Sequence, residues 1–309
     1  MSINLKFCSG VGSVTGANFL LTLNDGKQET KVLVDCGLIQ GEKAAQAENR
    51  EEFGYEASEI DILFITHAHL DHVGRIPKLV KEGFNGSIYS TPETMALAAL
   101  ILEDAVGLLE KDAKNEGVLP LYDIQDMRKA LSLWKSIRYH EETPFPEGFS
   151  IYLRDAGHIL GSAMIQFTYE GKKIVFTGDL GNTPTPLLKD TEPITGADYV
   201  IMESVYGDRN HESKDERRKK LESVIKSTMD RQGTLVIPAF SLERTQVILY
   251  EINKLVESGI IPSVPVYVDS PLATKITDIY KGSTALFNER AQGEIRGGDD
   301  IFNFPRLSF

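Results

Sequence analysis

The densest chemistry in this chain lies in one run, Thr66-His67-Ala68-His69-Leu70-Asp71-His72, which sets three imidazoles and a carboxylate within seven residues. The chain has six histidines, and half of them fall here. Neutral imidazole nitrogen and carboxylate oxygen are donors that hold zinc, and a catalytic ion needs about three protein ligands with one position left for water. The apolar run Ile60-Asp61-Ile62-Leu63-Phe64-Ile65 stands directly before the cluster and reads as a strand. A strand ending at Thr66 points alternate side chains the same way, so His67 and His69 can meet one ion. A turn at Leu70 then carries Asp71 and His72 toward a second. The competing explanation, a polar surface loop with unrelated histidines, gives no reason for this density of donors.

Further ligands are expected at the ends of later strands. His158 stands in the glycine-flanked loop Asp155-Ala156-Gly157-His158-Ile159-Leu160-Gly161, between two strand-like runs; a lone histidine of this kind is more often structural. Asp179 ends the apolar run Ile174-Val175-Phe176-Thr177 between Gly178 and the pair Leu180-Gly181, where the backbone can turn the carboxylate inward, although an Asp there can equally start a turn. Asp35 closes Val32-Leu33-Val34 in the same way, and its carboxylate can hydrogen-bond a ligand imidazole from behind.

In this order, Asp35, then His67, His69, Asp71 and His72, then His158, then Asp179 resemble the motifs of the metallo-β-lactamase superfamily. Met202-Glu203-Ser204-Val205-Tyr206-Gly207-Asp208-Arg209 is similar to the acidic motif that opens the insert of the β-CASP nucleases. Leu235-Val236-Ile237-Pro238-Ala239-Phe240-Ser241-Leu242-Glu243-Arg244-Thr245-Gln246 and Val266-Tyr267-Val268-Asp269-Ser270-Pro271-Leu272-Ala273 resemble that insert too. The resemblance runs from Gly10-Val11-Gly12-Ser13-Val14-Thr15-Gly16 onward. It implies an αββα sandwich over residues 1–203, lacking its C-terminal strands, and a partial β-CASP α/β domain over residues 204–309.

The resemblance also implies chemistry. One Zn2+ is held by His67, His69 and His158, and Asp179 bridges to a second held by Asp71 and His72. A water activated between the ions attacks the phosphodiester of single-stranded RNA, with Asp71 orienting it, Asp35 supporting the site and Glu203 as the nearby acid. Apart from the resemblance, Arg244 and Ser270, each in a loop after an apolar strand, are the candidates for substrate phosphate, with an ion pair of Arg244 to an acid such as Glu243 as the alternative. The family continues past its insert to supply a histidine as general acid and another as the last ligand of the second metal. No histidine follows His211, and the sequence stops at Phe309. The chain is therefore read as truncated, with a weak second zinc and reduced cleavage. Two other classes stay open: a non-catalytic chain that binds RNA or a partner, and another hydrolase of the fold, such as a thioesterase. A homodimer or a partner nuclease subunit is compatible with the motifs.

With 309 residues and 41% hydrophobic content, the chain can bury a large core or two smaller ones. The net charge of −12 excludes a uniformly basic nucleic-acid coat, though metal ions and a local groove can still hold phosphates. Two cysteines, Cys8 and Cys36, make no disulfide framework and suggest a reducing compartment. Without a leader or a membrane-length apolar run, a cytoplasmic protein is expected, with no membrane partner.

The elements that hold these residues show in the periodicity. Residues 3–8, 18–23 and 31–34 read as strands, with Asn24-Asp25-Gly26 as a turn. Residues 76–82 read as a helix, 87–90 as a strand, and a long helix opens at Pro92 with Thr91 as N-cap. Along it, Glu103, Asp104, Glu110 and Asp112 read as a solvated face. A helix is expected at 124–134, and strands at 149–153, 163–169, 173–176 and 197–202. Beyond Glu203, helix at 213–229, strand at 234–237, helix at 246–257 and strand at 264–268 read as a parallel α/β unit. Arg217-Arg218-Lys219-Lys220, set among acids, reads as a solvated helix face.

Overall fold

Three antiparallel strands open the chain, β1 (Ser2–Ser9), β2 (Asn18–Asn24) and β3 (Glu29–Val34). The β2–β3 turn is closed by its own side chains: Asn24 accepts the Gly26 N–H at 2.8 Å, and Asp25 accepts those of Lys27 and Gln28 at 2.7 Å. The computed structural model describes residues 2–41, 43–210 and 214–309, in two compact units. The first comprises Met1–Thr183 and Asp190–Glu203, the second Pro184–Lys189 and Ser204–Phe309.

In the first unit, α1 (Lys43–Arg50) leads to β4 (Ile62–Phe64), and α2 (Leu70–Val73) and α3 (Ile76–Lys81) lead to β5 (Ser87–Ser90). Then α4 (Pro92–Glu116) and α5 (Ile124–Ser132) lead to β6 (Trp134–Ser136). The sheet runs β1-β2-β3-β4-β5-β6, and from β3 onward its neighbours are parallel, as helical crossovers require. Thr91 caps α4, accepting the Thr94 N–H at 3.2 Å, and Glu103, Asp104, Glu110 and Asp112 all lie on its exposed side. The second sheet, in the order β11-β10-β9-β8-β7, comprises β7 (Thr143–Pro144), β8 (Ser150–Asp155), β9 (Ala163–Tyr169), β10 (Lys172–Phe176) and β11 (Tyr199–Ile201).

The sheets share one core. Leu21, Val32, Val34 and Phe64 of the first pack with Ile151, Ile165, Phe167 and Phe176 of the second. Phe64 and Phe167 meet edge to face at 5.3 Å. Alternation sends Leu33, Leu63 and Ile88 to the other face of the first sheet, where they too are fully buried. On the second sheet Ala156, Met164 and Val175 are packed by Leu180, Ile194 and Ala197 of the following loop. The outer strand β11 leaves Tyr199 and Val200 about half exposed, at 59% and 48%.

Two local expectations shift. The helix expected to reach Trp134 ends at Ser132, because the Trp134 indole N–H donates to Ser90 Oγ at 2.9 Å and ties the residue into the sheet. The strand expected over residues 60–65 keeps a ladder only at Ile62–Phe64.

The second unit contains α6 (Lys214–Asp230), α7 (Arg244–Glu257), β12 (Val266–Tyr267), α8 (Pro271–Gly282), α9 (Glu289–Arg296) and β13 (Leu307–Ser308). Its core includes Leu249, Tyr250, Ile276, Tyr280, Phe287 and Phe302. Strands β12 and β13 pair in parallel. Residues 234–237, expected as a strand, join no ladder among the described residues, and Val236 and Phe240 are 80% and 82% exposed. In the basic run of α6, Lys219 and Lys220 are exposed and Arg218 lies 3.6 Å from Glu251. His211 lies outside the described residues. Among the described residues no helix is long and apolar enough to cross a membrane.

Candidate metal centre

The site begins where β3 ends. Asp35 adopts φ 58° and is 1% exposed, and its carboxylate is fully used. It accepts the Thr66 N–H and the Thr66 hydroxyl, each at 2.8 Å, and lies 2.7 Å from His72 Nδ1. Those bonds draw the chain off the ladder after Phe64. His67 and His69 therefore lie on a loop rather than on a continuing strand, and His69 is the N-cap of α2. The expected turn at Leu70 is instead the first turn of that helix, which carries Asp71 and His72.

Close backbone packing fixes the loops. Gly37 lies flat against the first turn of α2, so that a Cβ there would sit 1.5 Å from the Asp71 carbonyl oxygen. Around it, the Cys36 N–H donates to His72 O at 2.8 Å and the Ala17 N–H to Asp71 O at 2.9 Å. The loops bearing His158 and Asp179 touch through glycine as well. The Gly181 N–H donates to Ala156 O at 2.8 Å, and a Cβ on Gly181 would fall 1.8 Å from Gly157 O.

Four side chains converge. Donor atoms of His67, His69, His158 and Asp179 all lie within 4.8 Å of one another. His158 Nε2 is 3.1 Å from His69 Nδ1, and Asp179 Oδ2 is 3.6 Å from His158 Nε2 and 3.7 Å from His67 Nε2. The other oxygen, Asp179 Oδ1, lies 3.3 Å from His72 Nε2. Asp71 falls outside this group of four, one residue before His72 on α2. Glu203 accepts the Leu180 N–H at 3.3 Å, which places it behind the Asp179 loop.

The electrostatics suit a cation. Burial holds His67 well below its ordinary value, helped by His72, His158 and His69, and burial with His158 and His72 brings His69 to about 3. Both imidazoles are neutral, the form that ligates. His72 goes the other way: burial opposes its charge, but the Asp35 and Asp179 carboxylates raise it well above its ordinary value. Burial also opposes ionisation of Asp179, yet the bond to His72 and the surrounding imidazoles bring it to about 2. Burial lifts Asp71. His67 Nε2 is buried and has no hydrogen-bond partner. A neutral nitrogen left bare among two imidazoles and a carboxylate fits a metal ion, and three nitrogens with one oxygen are a donor set that a divalent cation accepts.

Comparison with known proteins agrees with the geometry. The profile of the metallo-beta-lactamase superfamily matches residues 19–227. The chain belongs to the metallo-beta-lactamase superfamily. The Beta-Casp domain profile matches residues 245–309 and, with the relatives, places this superfamily member in the β-CASP nuclease branch. Ribonuclease TTHA0252 of Thermus thermophilus is 35% identical over 94% of this chain and 63% of its own length. The transcription termination factor FttA of Methanosarcina mazei is 34% identical over 78% and 38%. The cleavage and polyadenylation specificity factor subunit 3-I of Arabidopsis thaliana is 31% identical over 97% and 42%. The chain thus spans from about two fifths to just under two thirds of these relatives' lengths. A crystal structure of a protein of unknown function from Enterococcus faecalis shares the fold, with a TM-score of 0.54, 13% identity, and coverage of 91% of this chain and 68% of the other. For this β-CASP member, the His/Asp group is a divalent-metal site.

In the second unit, Arg244 is not in a loop but opens α7, with its side chain exposed and no ion pair to Glu243 within 4 Å. Ser270 caps α8, accepting the Ala273 N–H at 3.1 Å, with Ser241 Oγ 3.3 Å away. Sequence reasoning gave no role to Thr66, whose hydroxyl bonds Asp35 and lies 3.0 Å from His67 Nδ1. It also missed that Thr91 and Thr94, besides serving the α4 cap, both donate to Gly161 O, at 2.7 and 2.9 Å, and so anchor the His158 loop. Thr66 stood beside the cluster as a signal; Thr91 and Thr94 lie far from His158 in sequence and gave none.

Proposed function

We propose that this β-CASP protein is a zinc-dependent hydrolase that cleaves phosphodiester bonds of single-stranded RNA. The observation that carries the metal is the bare, buried His67 Nε2 amid His69, His158 and Asp179. The names of the relatives, a ribonuclease and an RNA-processing factor among them, support the substrate.

His67, His69, His158 and Asp179 would hold one zinc, and His72 and Asp71, with Asp179 shared, would hold a second. When bound, zinc lowers the pKa of water from 15.7 to about 7 and offsets charge growing on a phosphoryl oxygen. Asp35 accepts the His72 Nδ1–H and so leaves Nε2, on the Asp179 side, free to ligate an ion. Asp71, whose carboxyl burial lifts, orients the attacking water by accepting its hydrogen bond. Glu203 is assigned to holding the Asp179 loop through the Leu180 N–H. Arg244 and Ser270 are assigned to substrate phosphate. The two sets of donors are unequal: the first ion would have three imidazoles and a carboxylate, the second one imidazole and two carboxylates, so the second would be held more weakly.

The test sets metal analysis after dialysis beside cleavage of a single-stranded RNA and of a thioester, for the unaltered chain and for His67→Ala. We expect at least one retained zinc, lost in the variant, and hydrolysis of the RNA alone. A metal-free chain, or hydrolysis of the thioester alone, would overturn the assignment.

A further inference from the structure

Glu243 is one of three non-glycine residues described with positive φ in the second unit, beside Gln232 and Arg306. Its backbone sits at φ 64° and ψ −54°, and the Arg244 N–H donates to Leu242 O at 2.8 Å across it. A bond from residue i+2 back to residue i, around a centre with positive φ and negative ψ, is a γ-turn of the rare, strained hand. Glycine adopts it without a Cβ penalty; a glutamate does not, so the surroundings must enforce it.

The enforcing contacts come from α8. The Tyr280 hydroxyl, on a fully buried ring, donates to Glu243 Oε2. Two more ties join the start of α7 to α8: Gln246 Nε2 donates to Thr277 Oγ1 at 2.9 Å, and Ser241 Oγ lies 3.3 Å from Ser270 Oγ. Leu242, 4% exposed, pins the turn from the core side. The residue released immediately after the turn is Arg244, exposed at the first position of α7.

We propose that Glu243 is a positioning residue, and that its tie to Tyr280 holds the strained turn that fixes Arg244 at the start of α7 for an RNA phosphate. The inference rests on the phosphate role given to Arg244 above and adds the device that sets it. Burial pushes the Glu243 carboxyl up to about 7, against the Tyr280 bond and the nearby Arg244. The fold thus keeps a carboxyl there that neither burial nor backbone favours.

The test measures binding of a single-stranded phosphorothioate RNA by fluorescence anisotropy at several salt concentrations, alongside thermal unfolding. Arg244→Ala should weaken binding roughly five- to tenfold and reduce the salt slope by about one. Tyr280→Phe, which keeps the ring, and Glu243→Gly, which removes the backbone strain, should each give most of that loss. Glu243→Gln keeps an acceptor for Tyr280 and should stay within about twofold of the unaltered chain. Combining Tyr280→Phe with Arg244→Ala should add little to Arg244→Ala alone. Glu243→Gly should not lower the unfolding midpoint, whereas a merely structural Glu243 would lower it and leave affinity intact. If Arg244→Ala binds normally, or the unaltered chain binds no RNA, the phosphate reading falls and the inference with it. If Arg244→Ala weakens binding while folded Tyr280→Phe and Glu243→Gly do not, the positioning role alone is overturned.

Discussion

Gly37→Ala probes the metal centre without touching a ligand. A Cβ at Gly37 would lie 1.5 Å from Asp71 O, 2.0 Å from Asp71 C and 2.7 Å from His72 N, all backbone atoms with no rotamer to yield. Ordinary contact requires α2 to retreat from the β3 loop by about 2 Å. That carries three bonds beyond reach: Cys36 N–H to His72 O at 2.8 Å, Leu38 N–H to Leu70 O at 2.9 Å, and His72 Nδ1 to Asp35 at 2.7 Å. At ~1 kcal/mol for each neutral bond and ~2 for the charged one, the loss is about 4 kcal/mol. Urea denaturation, read against Gly107→Ala, measures it. Gly107 lies inside α4 with no atom within 4 Å of a built Cβ, so alanine there should stabilise by about 0.5–1 kcal/mol. Metal content should fall by the ion held through His72, while the group of His67, His69, His158 and Asp179 retains its own. A Gly37→Ala protein with an unchanged midpoint and unchanged metal content would refute the claim that backbone contact sets this site.

Three further outcomes follow from the same contacts. Asp35→Asn should lower metal affinity about 10- to 100-fold, because the neutral amide no longer holds the His72 tautomer; competition against a chromophoric chelator reads this, and an unchanged constant would count against the Asp35–His72 link. Stripping the metal should lower the unfolding midpoint and adding it back should restore it, by about 2.7 kcal/mol at a free ion concentration 100 times the dissociation constant. Glu243→Gln should gain stability over the unaltered chain as pH rises from 4.5 through about 7, since a carboxyl raised in the fold is favourable to neither state below that window and costs the fold above it. The gain, about 1–2 kcal/mol after allowance for partial exposure, should be absent at pH 4, and a difference independent of pH would show that Glu243 ionises normally in the fold.

Much of the first unit was legible because its signals are local. The Asn24-Asp25-Gly26 turn, the Thr91-Pro92 helix start and the apolar runs of β8, β9 and β10 each sit within a few residues, and each element formed there. Residues 234–237 show where local signals run out. Their apolar, β-branched composition suits a strand, but a strand needs a partner edge, and composition does not say whether one is within reach. Trp134 fails the other way: it continued a helical pattern, yet its indole N–H finds Ser90 across the sheet. Sequence reasoning gave no helix at α8 or α9, although each has a capping residue, Ser270 before Pro271 and Asn288 before Glu289.

The donors of the metal centre were legible for a different reason than its geometry. Histidines packed as His67, His69 and His72 announce themselves by type, whereas the strand-end, glycine-flanked settings of Asp35, His158 and Asp179 fitted a turn or a structural role as well, and only the order of the motifs assigned them. What brings them together is close approach between chain segments distant in sequence: Gly37 on Asp71, Gly181 on Gly157, and Gly161 under Thr91 and Thr94. A glycine in sequence signals a possible turn or a possible contact, and only the neighbour it meets decides between them. Glu243 carries the point further, because nothing in its residue type suggests a positive φ. The strain there can be read only with Tyr280 in place, and so the ties across α7 and α8 are where sequence reasoning about Arg244 had to stop.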